Sequence, residues 1–516
     1  MQILSDRIIW NREDFLAGFI PDPAASFRWN ETGAMNMTNI DAFGPNGIGV
    51  IMPGRNPTSR GTANTSELIS IDMDPEGNSA YALGTDLHQF DVTTDVLTKD
   101  ATWPHSISWA GGAGSGTAGQ VVFYHTAATA RAVLYSYNTA TTGNVGMYDV
   151  VSNVFDDDFM STVPTSGTTL ANVMHPLCVT SDDRTLMGDY RSNQGKIHSY
   201  KGVSNTMEVN VLNLPFNMKP VGIVEEENGF DTVVFATTSS GLNRRGKAKA
   251  FWWSIDRPAS WYKSSPIPDD ECAAPFVAYG TVGCFTRSRT TSSSGSGDRM
   301  SVLRLFEGGQ WVPKYHWNGG LPVVDGVEIQ DHTVVWNSDG VVHRWGPRWN
   351  KYPAAAFQET RCSGTHSGFI KSLSNATTVY KLYASSAPNT PAIENFAGFN
   401  TANWRGCAAA PTFSFGKKGK VIGSMIHLAG GSAGGGRTIK LSLVNEAFTA
   451  SPVFSDLGSF TSTEALKRYL PEQFTTRVIE FSAISPFIEW ETGSGSSNAS
   501  AIERLEVFFE EVDIRT

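Results

Sequence analysis

The residues best placed to do chemistry are three acidic runs, ten histidines and two basic clusters. Asp156-Asp157-Asp158, Glu225-Glu226-Glu227 and Asp269-Asp270-Glu271 offer carboxylates that could ligate Ca²⁺. Calcium takes about six to eight oxygens from a shaped loop with alternating ligand positions, commonly with Gly at the sharp turn. None of the three runs has that spacing, so they read as solvated loop carboxylates. The histidines form no H-x-x-x-H or H-E-x-x-H pattern; His316, His332 and His343 fall in neighbouring strands with no carboxylate at ligand spacing. "GGSAGGGR" (Gly430 to Arg437) lacks the G-K-[ST] ending of a phosphate loop, and no G-x-S-x-G elbow occurs. No catalytic residue, cofactor or metal is expected.

The basic clusters stand against an acidic background. "NRRGKAK" places Arg244, Arg245, Lys247 and Lys249 on one hairpin loop. "GKKGK" places Lys417, Lys418 and Lys420 at the first turn of the C-terminal module. Both are candidates for contact with DNA phosphate or with a partner's acidic rim, and the first has enough charge on one loop to follow a backbone. The net charge of −10 makes the surface as a whole repel nucleic acid and anionic membrane.

The elements that carry these residues are short strands. Charged residues are only 17% of the chain, while glycine alone numbers 50. Turns therefore outnumber amphipathic helices, and an all-β chain follows. No apolar run is long enough to span a membrane, and the N-terminal stretch has no secretory pattern. Five widely spaced cysteines without a CxxC read as buried, reduced thiols. In "HTVVWNSDGVVHRWG" (His332 to Gly346) two apolar runs flank Asp339-Gly340, the signature of a tight hairpin. Related phrases begin at Asn46, Ser79, Gly119, Asp183, Asp231, Val282 and Thr377. Their spacing, mostly about 45 to 50 residues, is that of a four-stranded propeller blade. No WD40, kelch or Asp-box signature accompanies them. The reading is a six- or seven-bladed β-propeller over residues 31–387, after an N-terminal arm at 1–30. "SSAPNTPAIENFAGFNTANWRG" reads as a linker (388–410), and residues 411–516 as a jelly-roll-like β-sandwich. One short helix is expected in "STEALKRYLPE" from Ser462. "RSRTTSSSGSGDR" (Arg287 to Arg299) reads as a long exposed connector.

Three phrases carry a resemblance. "FLAGFIPDPAASFRWNETGAMNMTNIDAFGPNGIGVIMPG" resembles the openings of tail and portal-vertex proteins of tailed bacteriophages. "TFSFGKKGKVIGSMIHLAG" and "FIEWETGSGSSNASAIERLEVFFE" resemble a hairpin and the closing strand pair of their C-terminal modules. The resemblance touches roughly 80 residues, so on these structural phrases it implies an assembly role. It implies a virion structural protein, made in the host cytoplasm, that forms an oligomeric ring (a hexamer) at the portal–tail junction. There it would act as nozzle, hub or plug around the DNA exit channel, touching other tail or adaptor proteins and passing double-stranded DNA. The alternatives are an outward-facing receptor-binding tail protein and a propeller carbohydrate-active enzyme or lectin.

Overall fold

In the computed structural model the described residues comprise the strands and short turns between Gln2 and Glu511. Residues 12–35, 42–51, 63–67, 108–116, 160–169, 239–247, 255–259, 288–299, 347–354, 362–367, 399–405, 430–437, 446–452, 470–480 and 492–500, with some shorter stretches, lie outside that description. The chain is all-β, and it divides into two compact units: residues 59–340 with 362–395, and residues 1–58 with 341–361 and 396–516.

The sequence explains why strands form and where they end. Among the described residues, four two-residue hairpin turns have both central residues at positive φ: Ser192-Asn193, Tyr279-Gly280, Gly308-Gly309 and Asp339-Gly340. Turns of this kind match the right-handed twist of the strands they join. At Asp339 and Gly340 the φ values are 50° and 76°, and the Gly340 amide donates to Asn337 Oδ1 at 3.2 Å.

Among the described residues, seven antiparallel sheets of four strands follow one another, the first with an extra short strand, His105–Ser106. Their first strands are Ser70–Met73, Thr117–Ala127, Leu177–Val179, Met218–Glu225, Glu271–Ala278, Val327–Gln330 and Ile370–Asn375. In the first six sheets the strands run in chain order. The seventh takes Ile370–Asn375, Thr378–Ser385 and Ala392–Gly398, and completes itself with Asn56–Thr62 from far upstream. Each first strand neighbours the next, and that of the seventh sheet neighbours that of the first.

Continuous apolar runs such as "VVFY" and "FWW" arise because these sheets are covered on both faces. Val121 and Phe123 pack toward Tyr81 and Leu83 of the first sheet, while Val122 and Tyr124 pack toward Leu177 and Met187 of the third. Trp253 packs with Leu186 and Ile197 of the third sheet, and its neighbour Trp252 with Val282 and Cys284 of the fifth. Trp336 of the sixth sheet meets Phe285 and Trp317 of the fifth at ring-centroid distances of 5.3 and 5.4 Å. Phe369, Leu373 and Ile393 then share a cluster with Ile71, Ala82 and Phe90 of the first sheet.

The smaller unit is built around Phe413–Ala429, Phe481–Glu491 and Ala501–Glu511 in a ten-stranded arrangement. The N-terminal strand Arg7–Asn11 pairs with Ala501–Glu511, so part of the expected arm is sheet. Three local expectations are corrected here. Leu466–Tyr469 is a strand paired with Ser424 to His427 and not helical. A segment so short gains more from ladder pairing than from one isolated helical turn. The expected linker carries the strands Ala392–Gly398, paired with the preceding Thr378–Ser385, and Gly406–Ala409, paired with Asn36–Thr38 and Phe481–Glu491 far away in sequence. "GKKGK" is not a turn between two strands but lies inside the long strand Phe413–Ala429. A register shift between Ser414 and Gly419 there lets the strand pass from pairing with Phe481–Glu491 to pairing with Ala501–Glu511.

Candidate functional site

A cavity of about 510 Å³ lies in the larger unit, lined by residues of all seven first strands or of the turns beside them. Its charged members are Asp72, Glu225, Asp325, Glu328 and Lys371, with Gln120 beside them. In the sequence most of them stand as single polar residues in apolar or small-residue stretches, as in "SIDMD", "GQVVFY" and "FIKSLS". That isolation is the signal a sequence reading could have used. It belongs to no cluster and no motif, so a reading guided by those passes over it.

The network spans several sheets. Asp72 Oδ2 accepts from the Phe123 amide at 2.7 Å. Ser70 Oγ accepts from the Val121 amide at 2.8 Å and donates to Asp325 Oδ2. Gln120 Nε2 donates to Asp325 Oδ1 at 3.0 Å, and its Oε1 accepts from the Leu177 amide at 2.8 Å. The Lys371 ammonium lies 3.9 Å from Asp72 and 4.0 Å from Glu328. Side chains of one first strand thus satisfy backbone groups of the next, where a lost partner would leave a buried donor unpaired.

Electrostatics follow from this enclosure. Burial pushes the Asp325 carboxyl up to about 6, against the lowering effect of Lys371 and of its hydrogen bonds. Glu328 rises to about 7 for the same reason, again opposed by Lys371. Burial acts to lower the Lys371 ammonium, but Asp72, Glu328 and Asp325 together outweigh it and hold its pKa above the usual lysine value. Burial also pushes the Cys178 thiol up to about 12, so this lining cysteine is a poor nucleophile near neutral pH.

The acidic runs lie at strand ends and in turns, partly open to solvent with Glu227 exposed, and several of their carboxylates also tie sheets together. Tyr135 Oη donates to Asp157 Oδ1, and His105 Nε2 lies 3.1 Å from the same oxygen. Glu225 accepts from the Ser181 amide and hydroxyl, both at 2.8 Å. Glu226 accepts from Trp252 Nε1 at 2.7 Å, and Glu227 from the Gly280 amide at 3.2 Å. Asp269 Oδ2 accepts from Arg304 Nε and Nη2 at 3.0 and 2.8 Å. A carboxylate beside a sheet edge gains more from an amide or guanidinium it can reach than from water, which explains these ties. Burial lowers the imidazole of His343 to about 3 and also lowers that of His316; His332 lies outside the described residues.

Of the basic candidates, Arg244, Arg245 and Lys247 lie outside the described residues. Lys249 opens the strand Lys249–Ser254 and is half-buried. Lys417 and Lys418 lie in the strand Phe413–Ala429, and Lys420, exposed, sits 3.7 Å from Glu510. The cavity brings none of these cations together.

No family model and no curated protein matches the chain. Among solved structures, it is similar to the Dos1 propeller at 10% identity and a TM-score of 0.43, over 67% of this chain and 95% of that one. It is similar to the β-propeller domain of Myceliophteria thermophila Cps50 (Swd1) at 9% identity and a TM-score of 0.39, over 66% and 99%. An exo-β-1,3-galactanase from Phanerochaete chrysosporium aligns at 11% identity and a TM-score of 0.32, over 88% and 100%.

Proposed function

We propose that the series of seven sheets is a closed seven-bladed β-propeller and the ten-stranded arrangement a β-sandwich, and that the chain is a structural virion protein of a tailed phage. It forms a homo-oligomeric ring at the portal–tail junction around the DNA exit channel, with roles in tail assembly, DNA retention and ejection. The observation that carries the reading is how the polar interior is used: Asp72, Ser70 and Gln120 tie the first strand of one sheet to that of the next. An interior spent on cross-links suits a part that bears load. Two further observations support it. The seventh sheet borrows Asn56–Thr62, which fastens the two ends of the series within one sheet. The phrases that resemble phage C-terminal modules form three central strands of the smaller unit.

The test is biochemical. The full-length protein is expressed alone and examined by mass photometry and negative-stain microscopy, and particles of the encoding phage are purified and probed with an antibody to it. A ring of several copies and a signal in the particles are expected. A strictly monomeric protein absent from particles would refute the proposal.

A further inference from the structure

The cavity at the first strands has two unlike walls. The sixth, seventh, first and second sheets contribute Glu328, Asp325, Lys371, Asp72 and Gln120, interspersed with Val122, Val324, Val327 and Ile329. The third, fourth and fifth contribute mainly apolar groups, of which Val179, Val224 and Val277 are partly exposed. The one carboxylate on that side, Glu225, is held by Ser181. On the polar wall the Lys371 side chain is 37% exposed and reaches Asp72 and Glu328 only at 3.9 and 4.0 Å. Those separations exceed hydrogen-bond length. Among the described residues its ammonium makes no hydrogen bond, so its N–H groups can donate to an occupant, and the carboxylates beside it have further lone pairs to accept with.

Charge narrows the class of occupant. Carboxylates outnumber the single ammonium, so an anionic ligand such as a phosphate or a carboxylate would be repelled. A cationic ligand meets the place between Asp72 and Glu328 already taken by Lys371. What remains is a neutral molecule with many hydroxyls, able to accept from the ammonium and donate to the carboxylates, and with one apolar face for the opposite wall. The cavity volume of about 510 Å³ is also suitable. Small-molecule sites commonly fall between ~300 Å³ and ~1000 Å³.

We propose that this cavity binds a neutral polyhydroxylated ring, a monosaccharide unit, with its hydroxyls on Lys371, Asp72 and Glu328 and its C–H face against Val224 and Val277. The site is independent of the ring-forming role and would serve recognition, not turnover. A raised Glu328 pKa fits such a site, because a partly protonated carboxyl both donates and accepts.

The test uses the full-length protein with glucose, galactose, mannose and N-acetylglucosamine as probes, read by saturation-transfer NMR and calorimetry, with inorganic phosphate and putrescine alongside. Saturable binding of at least one sugar is expected, with weaker binding of phosphate and putrescine. In Lys371→Met/Glu328→Met, an apolar replacement of an ion pair, sugar affinity falls by at least about tenfold while the melting curve stays cooperative. Lys314→Ala, which removes a cation paired with Glu307, leaves affinity unchanged. Should that double variant fail to melt cooperatively, Lys371→Gln is read in its place, with the same loss expected. Failure of all four sugars to bind, preference for phosphate or putrescine, or affinity unaltered by the substitution at Lys371 would each overturn it.

Discussion

Lys371 stands among three carboxylates that would otherwise repel one another, and two of these hold protons unusually tightly. Glu328 goes from an ordinary 4.5 to about 7 and Asp325 from 3.8 to about 6. The folded chain therefore binds more protons than the unfolded chain between these limits, and the stability contributed by the pair falls as pH rises from about 4 to about 7. Asp325→Asn/Glu328→Gln removes that slope. Its melting temperature relative to wild type is expected to rise between pH 4 and pH 8, by the equivalent of roughly 5 kcal/mol. Calorimetric melts at both pH values check this, and a gap that stays flat or shrinks contradicts it. At the apolar end of the same scale, Trp336 is wholly buried against Phe285 and Trp317. Trp336→Ala is expected to cost about 3 to 5 kcal/mol in denaturant unfolding, since the space cannot be refilled from either sheet.

Elements show where sequence was enough and where it was not. The Asp339-Gly340 turn was legible because positive φ leaves few residue choices, and it forms as expected. At Gly340 φ is 76°, where a β-branched residue is strained. Gly340→Val is accordingly expected to cost about 2 kcal/mol, measured by urea unfolding. The strands of the series were legible for a similar reason: two-sided burial writes long apolar runs. What could not be read were partners chosen at a distance. Nothing local in "NPTSRGT" announces a fourth strand for a sheet formed far downstream, and nothing in "LKRY" says that it will pair with Ser424 to His427. The cavity residues were hidden likewise, since Asp72, Asp325 and Lys371 are neighbours only after folding. Removing residues 1–62 deletes the borrowed strand. Hydrogen exchange in Ala392–Gly398 is then expected to quicken strongly while Glu271–Ala278 stays protected. Equal protection in both would contradict the fastening role of that strand.

At the scale of the whole molecule, a seven-part series of sheets spends part of its polar interior on joints, and a second strand-built unit belongs to the same chain. The net charge of −10 is compatible with a duplex sliding past without being held. The basic segment with Arg244, Arg245, Lys247 and Lys249 is the proposed exception. Reversing those charges to Glu is expected to lower the fraction of particles that retain packaged DNA, scored by nuclease protection, and unchanged retention would remove the segment from the proposal. The most direct measurement is a cryo-electron microscopy reconstruction of the particle without imposed symmetry at the portal vertex. A ring role predicts several copies of this chain on the axis next to the portal. Density for it only at the distal tip, or none in the particle, would contradict that placement.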